Sequence, residues 1–155
     1  MSAVDDLEPT LREHPFLAGF TDAQVGQLAG CARHAGYDAD GYLFHEGAEA
    51  REFFLLRSGR VALEITVPGR GRRVIATLGA GDVVGASWLV PPYRWTFDAR
   101  ALEPVGAIGI DVACLRDKCE ADHDLGYTVM KSFLPVFVQR LHGTRLQLLD
   151  VYGAH

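Results

Sequence analysis

The most informative segment of the chain is residues 78–89, which read LGAGDVVGASWL. Its glycines predict a turn, a short buried strand and a second turn, because glycine adopts positive φ angles and lets the backbone approach a bound group closely. A helical turn beginning at Ala86 would direct its free amides toward a group beside Gly85. The segment therefore predicts an anion site, although tight turns between strands also need glycine where nothing binds.

Short segments rich in β-branched and aromatic residues surround this loop, each bounded by Gly, Pro or Asp. They are residues 42–44, 53–56, 61–65, 74–77, 82–84, 95–101 and 107–110. Evenly spaced short strands with turn residues between them are typical of antiparallel rolls and barrels. We therefore expect a mainly β fold, an antiparallel jelly-roll-like β-roll with flanking helices. The basic tip at residues 69–73 is predicted to be a solvated hairpin turn.

Capping residues predict two short helices beside the strands. The hydroxyl of Thr21, three residues before Gln24, is typical of a capping box and predicts a helix over residues 22–30. Asp111 is a good N-cap residue and predicts a helix over residues 112–120.

A long apolar helix over residues 124–150 is predicted next, with Pro135 expected to kink or divide it. A helix this apolar, beside a roll that has its own core, needs another surface, and pairing across a two-fold axis supplies one. We therefore expect a homodimer joined by this C-terminal dimerisation helix. The predicted contact residues are Phe133, Phe137, Leu141, Arg145, Leu148 and Leu149.

The 155 residues are expected to form one folded unit in three parts. Residues 1–14 are polar and acidic and are predicted to form a loose N-terminal segment. Residues 15–110 would contain the first helix and the β-roll, and residues 111–155 the short helix and the long C-terminal helix.

Charge and composition argue against several classes of function. The net charge of -5 disfavours nucleic-acid binding, which usually requires a basic face. The sequence contains neither a secretory leader nor an apolar run of the ~18 residues that cross a bilayer, so we expect no membrane contact and a cytoplasmic location. Cys31, Cys114 and Cys119 are odd in number and lack metal-binding spacing, so we expect all three to be reduced thiols.

Catalytic and metal sites are not predicted. A cupin-like metal centre needs several inward-facing histidines, whereas His45 is alone among the early strands. Neither a nucleophile elbow nor a phosphate-binding Walker loop is present. We therefore expect a protein that is not an enzyme and holds no metal.

Four motifs together resemble the cyclic nucleotide-binding domain family, as found in catabolite-activator-like bacterial regulators. They are GYLFHEG at residues 41–47, FFLLRSGRV at 53–61, LGAGDVVG at 78–85 and RALE at 100–103. The resemblance implies a β-roll with flanking short helices and a long C-terminal helix that pairs two subunits. Such regulators continue into a helix-turn-helix, whereas this sequence stops at His155, so one alternative is a transcription-regulator remnant without a DNA-binding part.

The phosphate-binding cassette of that family departs from its usual pattern here. The family places Gly-Glu after the short strand and Arg about nine residues later, to hold the ribose hydroxyl and the cyclic phosphate. Gly85 matches, but Ala86 takes the glutamate position and Trp95 the arginine position, with Arg94 one residue away. Each lost charge-assisted hydrogen bond costs ~1.5–3 kcal/mol. We therefore do not expect tight cyclic AMP binding through the usual contacts.

Aromatic residues replace the missing polar groups. The candidate ligand contacts are Gly85, Ala86, Ser87, Arg94 and Trp95, with Trp88 and Phe97 as walls. Three interpretations stay open: the rings stack on a different ligand, fill a disused pocket, or anchor a partner protein. A cyclic nucleotide and NAD(P)H are the ligands considered, and whether Arg94 faces inward stays open.

Residues 87–95, 114–127 and 145–153 also resemble a subgroup of stand-alone domains. Some of its members are homodimeric accessory subunits of NAD(P)-linked hydrogenases. Two hypotheses follow: a non-catalytic module that senses a nucleotide-like ligand, and an accessory subunit that docks to a redox enzyme complex.

Overall fold

A computed structural model describes the backbone of residues 3–153 and the side chains of residues 7–141. The helices are α1 (Ala3–Glu13), α2 (Asp22–Ala29), α3 (Val112–Ala121) and α4 (His123–Gly153). The strands are β1 (Ala32–Tyr37), β2 (Tyr42–Phe44), β3 (Glu52–Ser58), β4 (Val61–Val67), β5 (Gly71–Leu78), β6 (Val83–Val84), β7 (Asp98–Ala101) and β8 (Val105–Asp111). Single 3₁₀ turns lie at Pro15–Leu17 and Ser87–Leu89.

The strands form two four-stranded antiparallel sheets, ordered β1-β8-β3-β6 and β2-β7-β4-β5. This arrangement confirms the predicted β-roll. The basic segment lies in the turn and first residues of the β4–β5 hairpin, where Val67 pairs with Gly71. Strand β1 was not predicted, because its sequence ARHAGY does not alternate apolar and polar residues. In the structure only Ala35 of this strand is buried.

The core lies between the sheets and continues into an aromatic cluster at their helical end. Phe53 of β3 is fully buried, and its ring centroid lies 5.0 Å from that of Phe133 and 5.4 Å from that of Trp88. The buried residues Leu125, Val129 and Phe133 attach the first half of α4 to this core. Burial of a large apolar side chain contributes about 1.5–3 kcal/mol, so these three residues hold the first half of α4 against the core.

The N-terminal segment is helical rather than loose. Leu7 and Leu11 lie four residues apart on α1 and are 1% and 0% exposed. Residues at this spacing share one helix face, and α1 packs against α2 through it. The expectation of a loose segment was wrong, because two leucines suffice to attach a short helix that is otherwise polar.

The predicted helix starts agree with the structure. Thr21 and Gln24 form a reciprocal capping box at α2, and the Asp111 carboxylate accepts a hydrogen bond from the Cys114 amide at 2.8 Å. The long helix α4 is continuous through Pro135 and is therefore not divided there.

Two of the cysteines are paired, which corrects the expectation of three reduced thiols. Cys31 and Cys114 form a disulfide, and Cys119 is free. The sequence separation of 83 residues conceals the pairing. The β1–β8 ladder creates it, because the Asp111 amide donates to the Cys31 carbonyl at 2.9 Å and so brings the start of α3 beside the start of β1. Disulfides are rare in cytosolic proteins, so this pair argues against the predicted cytoplasmic location.

Candidate ligand site

The glycine loop is held against strand β3 by main-chain hydrogen bonds. The Gly81 amide donates to the Leu56 carbonyl at 2.9 Å, and the Leu56 amide donates to the Asp82 carbonyl at 2.9 Å. The Asp82 carboxylate accepts from the Gly79 amide, also at 2.9 Å. Gly81 and Gly85 have φ angles of 91° and 102°, which side-chain-bearing residues rarely adopt. The loop thus presents Gly85 at a fixed position beside the second sheet.

The indole of Trp95 occupies the space against Gly85. A Cβ atom built on Gly85 would lie 2.5 Å from the Cη2 atom of Trp95. Trp95 is 4% exposed, and its ring stacks on Phe44 with 3.7 Å between centroids. Its backbone is fixed by hydrogen bonds with Ala48 and Gly47 of 2.9 and 2.8 Å. The position beside the glycine is therefore packed as core.

Arg94 points away from that position. Its Nη1 atom donates to the Gly47 carbonyl at 3.0 Å, and the side chain is exposed. Arg94 pairs with Glu49 in an isolated antiparallel bridge. Since successive residues of an extended chain face opposite sides, an inward Trp95 directs Arg94 outward.

A cavity of about 380 Å³ lies next to the filled position, between the loop, strands β4 and β5, and helix α4. Its walls are mainly apolar, with hydroxyl, amide and guanidinium groups at intervals. The lining includes Leu63, Ile75, Leu78, Ala86, Ser87, Thr96, Phe97, Phe137, Gln139 and Arg140. Three predicted contacts, Ala86, Ser87 and Phe97, are thus brought together here.

Arg140 is the cation at this cavity, and sequence reasoning missed it. Its Nη2 atom donates to the Val83 carbonyl at 2.6 Å. Burial lowers the pKa of Arg140, and the charge of Asp82 acts in the opposite direction. Its spacing, three residues after the predicted dimer contact Phe137, puts both residues near one face of the helix, but no sequence signal places that face beside the loop.

Trp88 belongs to the core on the other side of the 3₁₀ turn and does not line this cavity. It is 3% exposed, and its ring lies nearly parallel to that of Phe53. Its indole nitrogen is buried and has no hydrogen-bond partner among the described residues.

Helix α4 carries an exposed apolar seam, defined by Tyr127, Met130, Leu134, Phe137 and Leu141. Their exposed fractions are 67%, 54%, 60%, 39% and 57%. The spacings alternate between three and four residues, which is the heptad pattern of paired helices. Of the predicted dimer contacts, Phe137 and Leu141 lie on this seam.

Phe133, another predicted dimer contact, does not lie on this seam. Phe133 is 0% exposed, and its ring centroid lies 5.0 Å from that of Phe16 inside the protein's own core. Arg145, Leu148 and Leu149 lie outside the residues whose side chains are described.

The described residues contain neither a metal-binding cluster nor a membrane-spanning helix. Among them, no three His, Cys, Asp or Glu side chains are grouped closely enough to hold a metal ion. No helix in the described part of the chain has the length and apolar character of a membrane span.

Solved structures with this fold include bacterial and protozoan proteins. A candidate cyclic nucleotide-binding protein of Geobacter metallireducens GS-15 is 27% identical, with a TM-score of 0.77 over 92% of this chain and 100% of that chain. A cyclic nucleotide-binding domain of Methylobacillus flagellatus KT is 18% identical, with a TM-score of 0.79 over 95% of this chain and 83% of that chain.

A regulatory subunit of a cAMP-independent protein kinase A from Trypanosoma cruzi, bound to guanosine, also has this fold. It is 18% identical, with a TM-score of 0.64 over 86% of this chain and 51% of that chain. A search of curated proteins found no match. The model of the cyclic nucleotide-binding domain matches residues 36–122, more than half of the sequence. The β-roll, the glycine loop and this match together establish that the chain belongs to the cyclic nucleotide-binding domain family.

Proposed function

We propose that the chain is a non-catalytic regulatory module that binds an uncharged, nucleoside-like ligand and acts as a homodimer. The observation that carries this proposal is the packing of the Trp95 indole against Gly85. The family resemblance puts the cyclic phosphate beside that glycine, so the indole takes the space that a phosphate would need.

The electrostatics also disfavour a cyclic phosphate. Ala86 supplies no carboxylate for a ribose hydroxyl, and Arg94 bonds to Gly47 on the outside. The cation at the cavity, Arg140, already donates to Val83 and lies near the Asp82 charge. A buried monoanion needs a partner charge and several hydrogen bonds, because desolvation otherwise costs several kcal/mol. An uncharged ligand avoids this cost.

The open cavity suits a flat neutral molecule. Its volume of about 380 Å³ lies within the range of small-molecule sites, ~300–1,000 Å³. Phe97 and Phe137 line it as aromatic residues suited to stacking, and Ser87, Thr96 and Gln139 line it as residues suited to hydrogen bonding. The guanosine in the Trypanosoma cruzi relative supports a nucleoside in this fold without a phosphate.

The position of Phe137 supports a link between the ligand and the dimer. This residue lines the cavity and also belongs to the exposed seam. A ligand that contacts Phe137 would bind two arrangements of α4 unequally and so shift their populations. The module would then report occupancy through the pairing of its helices.

A thermal-shift screen tests the ligand class. Guanosine, adenosine, cyclic AMP, cyclic GMP, NADH and NADPH are added separately to the full chain. A nucleoside at a hundred times its dissociation constant should stabilise the protein by about 2.7 kcal/mol. Thr96→Ala and Gln139→Ala should weaken that effect, whereas Ala113→Ser on the exposed face of α3 should not. Cyclic AMP stabilising more than both nucleosides would contradict the proposed ligand class.

The substitution Leu134→Asp tests the homodimer. A charge in the middle of an apolar seam is costly to bury, so this variant should sediment with the mass of one chain and the wild type with twice that mass. Ala113→Asp, which adds the same charge away from the seam, should stay paired. A wild-type protein with the mass of a single chain would refute the pairing.

The accessory-subunit hypothesis rests on the resemblance in residues 87–95, 114–127 and 145–153. It predicts no stabilisation by any of the six compounds and a stable complex with a purified hydrogenase. The same screen therefore separates the two functions. NAD(P)H as the ligand and the cytoplasmic location stay predictions.

A further inference from the structure

A second groove lies on the opposite side of the 3₁₀ turn at Ser87–Leu89 from the cavity described above. It has a volume of about 540 Å³ and lies between this turn, α3 and the start of α4. The residues relevant to its chemistry are Trp88, Leu89, Tyr93, Arg116, Glu120 and His123. None of them lines the first cavity.

Arg116 is the centre of this groove. Its guanidinium carbon lies 4.3 Å from the ring centroid of Tyr93 and 5.8 Å from that of Trp88, and one Nη atom donates to the Trp88 carbonyl. Among the described residues, no carboxylate lies within 4.0 Å of this half-buried guanidinium. A guanidinium has five N–H donors, and among the described residues only the Trp88 carbonyl accepts from this one.

Trp88 also lines this groove, and its indole carries a buried donor. Its indole nitrogen is buried without a partner in the described part of the chain. Buried donors in native proteins are nearly always satisfied, so an unmet one requires an explanation. The neighbouring thiol supplies no anion, because burial and the charges of Asp122 and Glu120 raise the pKa of Cys119. The Cys119 thiol therefore does not neutralise the Arg116 guanidinium.

We propose that this groove is a second ligand site, for a small carboxylate with an apolar body. A carboxylate matches the planar donors of a guanidinium, and charge-assisted bonds of this kind are about twice as strong as neutral ones. The apolar body would contact Leu89 and Val129 on the groove wall. Glu120 also lines the groove, and its negative charge opposes the ligand. The inference does not depend on the nucleoside proposal.

The site would act on the same turn that bounds the first cavity. Arg116 holds the carbonyl of Trp88, while the preceding residue, Ser87, lines the cavity on the other side. A carboxylate that draws Arg116 from that carbonyl would therefore alter the wall of the first cavity. Occupancy of the two sites would be coupled and, since such coupling is reciprocal, each ligand would change the affinity of the other.

Calorimetric titration of the full chain tests the proposal with benzoate, phenylacetate and 3-phenylpropionate, each compared with its uncharged amide. At least one acid should bind saturably, and the dissociation constant of its amide should be at least about tenfold higher. Arg116→Gln should reduce the affinity at least tenfold, whereas Glu120→Gln should increase it about two- to fivefold by removing a repulsive charge. Arg51→Gln, an exposed arginine on the roll that pairs with Glu49, should bind as the wild type does.

The proposal fails if none of the acids binds saturably below about 10 mM, or if an amide binds as well as its acid. It also fails if Glu120→Gln weakens binding. Because Arg116→Gln could disturb the turn itself, nuclear magnetic resonance of the wild type gives an independent result. The indole N–H signal of Trp88 should shift with the acid and that of Trp95 should not, and the reverse pattern would overturn the assignment.

Discussion

The space beside Gly85 and the cavity beside Ala86 are neighbours in the fold but differ in how they are filled. Beside Gly85, Trp95 is 4% exposed and stacks directly on Phe44. Beside Ala86, a cavity of about 380 Å³ stays open, and Phe97 lies at its edge. The loop segment before β7 supplies both aromatic residues, two positions apart. The comparison shows that one side chain can fill the space beside the glycine as core while the adjoining, mainly apolar cavity stays open.

The largest expected difference between the two regions is in stability. Trp95→Ala removes a fully packed indole, so unfolding free energy should fall by about 3–5 kcal/mol. Phe97→Ala removes a ring that is only partly buried, and the loss should be about 1–2 kcal/mol. Urea denaturation of both variants measures this difference. Equal losses would mean that the position beside Gly85 is no better packed than the edge of the cavity.

A double substitution should reverse the chemistry of the filled region. Trp95→Arg with Ala86→Glu restores the cation and the carboxylate of the family pattern, each worth ~1.5–3 kcal/mol as charge-assisted hydrogen bonds. Cyclic AMP should then bind at least about tenfold more tightly than to the wild type, as measured by calorimetry under conditions where the variant is folded.

Trp95→Arg alone is the matched control for that experiment, because it opens the space without supplying the carboxylate. Its gain in affinity should be smaller than that of the double variant. No gain in a folded double variant would show that Trp95 and Ala86 are not what excludes the phosphate.

The sequence predicted most of the roll, because strand patterns and caps are local signals. Thr21, Gln24 and Asp111 sit where the structure has helix starts, since each cap bonds only three residues away. Strand β1 and the bond between Cys31 and Cys114 escaped prediction because they depend on pairing with distant residues. Local pattern cannot reveal such pairs.

The candidate site could be predicted only in part for the same reason. The position of Gly85 followed from its motif, whereas the side to which Trp95 and Arg94 point depends on a one-residue register that the sequence left open. Arg140 was missed because the contact between α4 and the loop is tertiary. The sequence shows which chemical groups are present near the loop, but it does not show which way their side chains point.

The smallest expected effect is on the pH dependence of stability, and it comes from His14 at the base of the glycine loop. His14 is 5% exposed, its Nε2 atom lies 3.1 Å from the Leu56 carbonyl, and its Nδ1 atom accepts from the Phe16 amide at 3.2 Å. These partners fit a neutral imidazole that donates from Nε2 and accepts at Nδ1. Burial lowers the pKa of His14 from its ordinary 6.5, while the bond to Leu56 and the nearby Asp82 oppose this shift.

Below pH 6.5 the unfolded chain therefore takes up a proton that folded His14 does not, so the free energy of unfolding should decrease on acidification and level off below the folded pKa. Each unit of pKa difference contributes about 1.4 kcal/mol. Urea denaturation between pH 8 and pH 5 (about the range in which histidine titrates) measures the slope. His14→Gln, whose amide can keep both hydrogen bonds, should flatten it, and His34→Gln on the exposed surface should not. An unchanged slope in His14→Gln would assign the pH dependence to other groups.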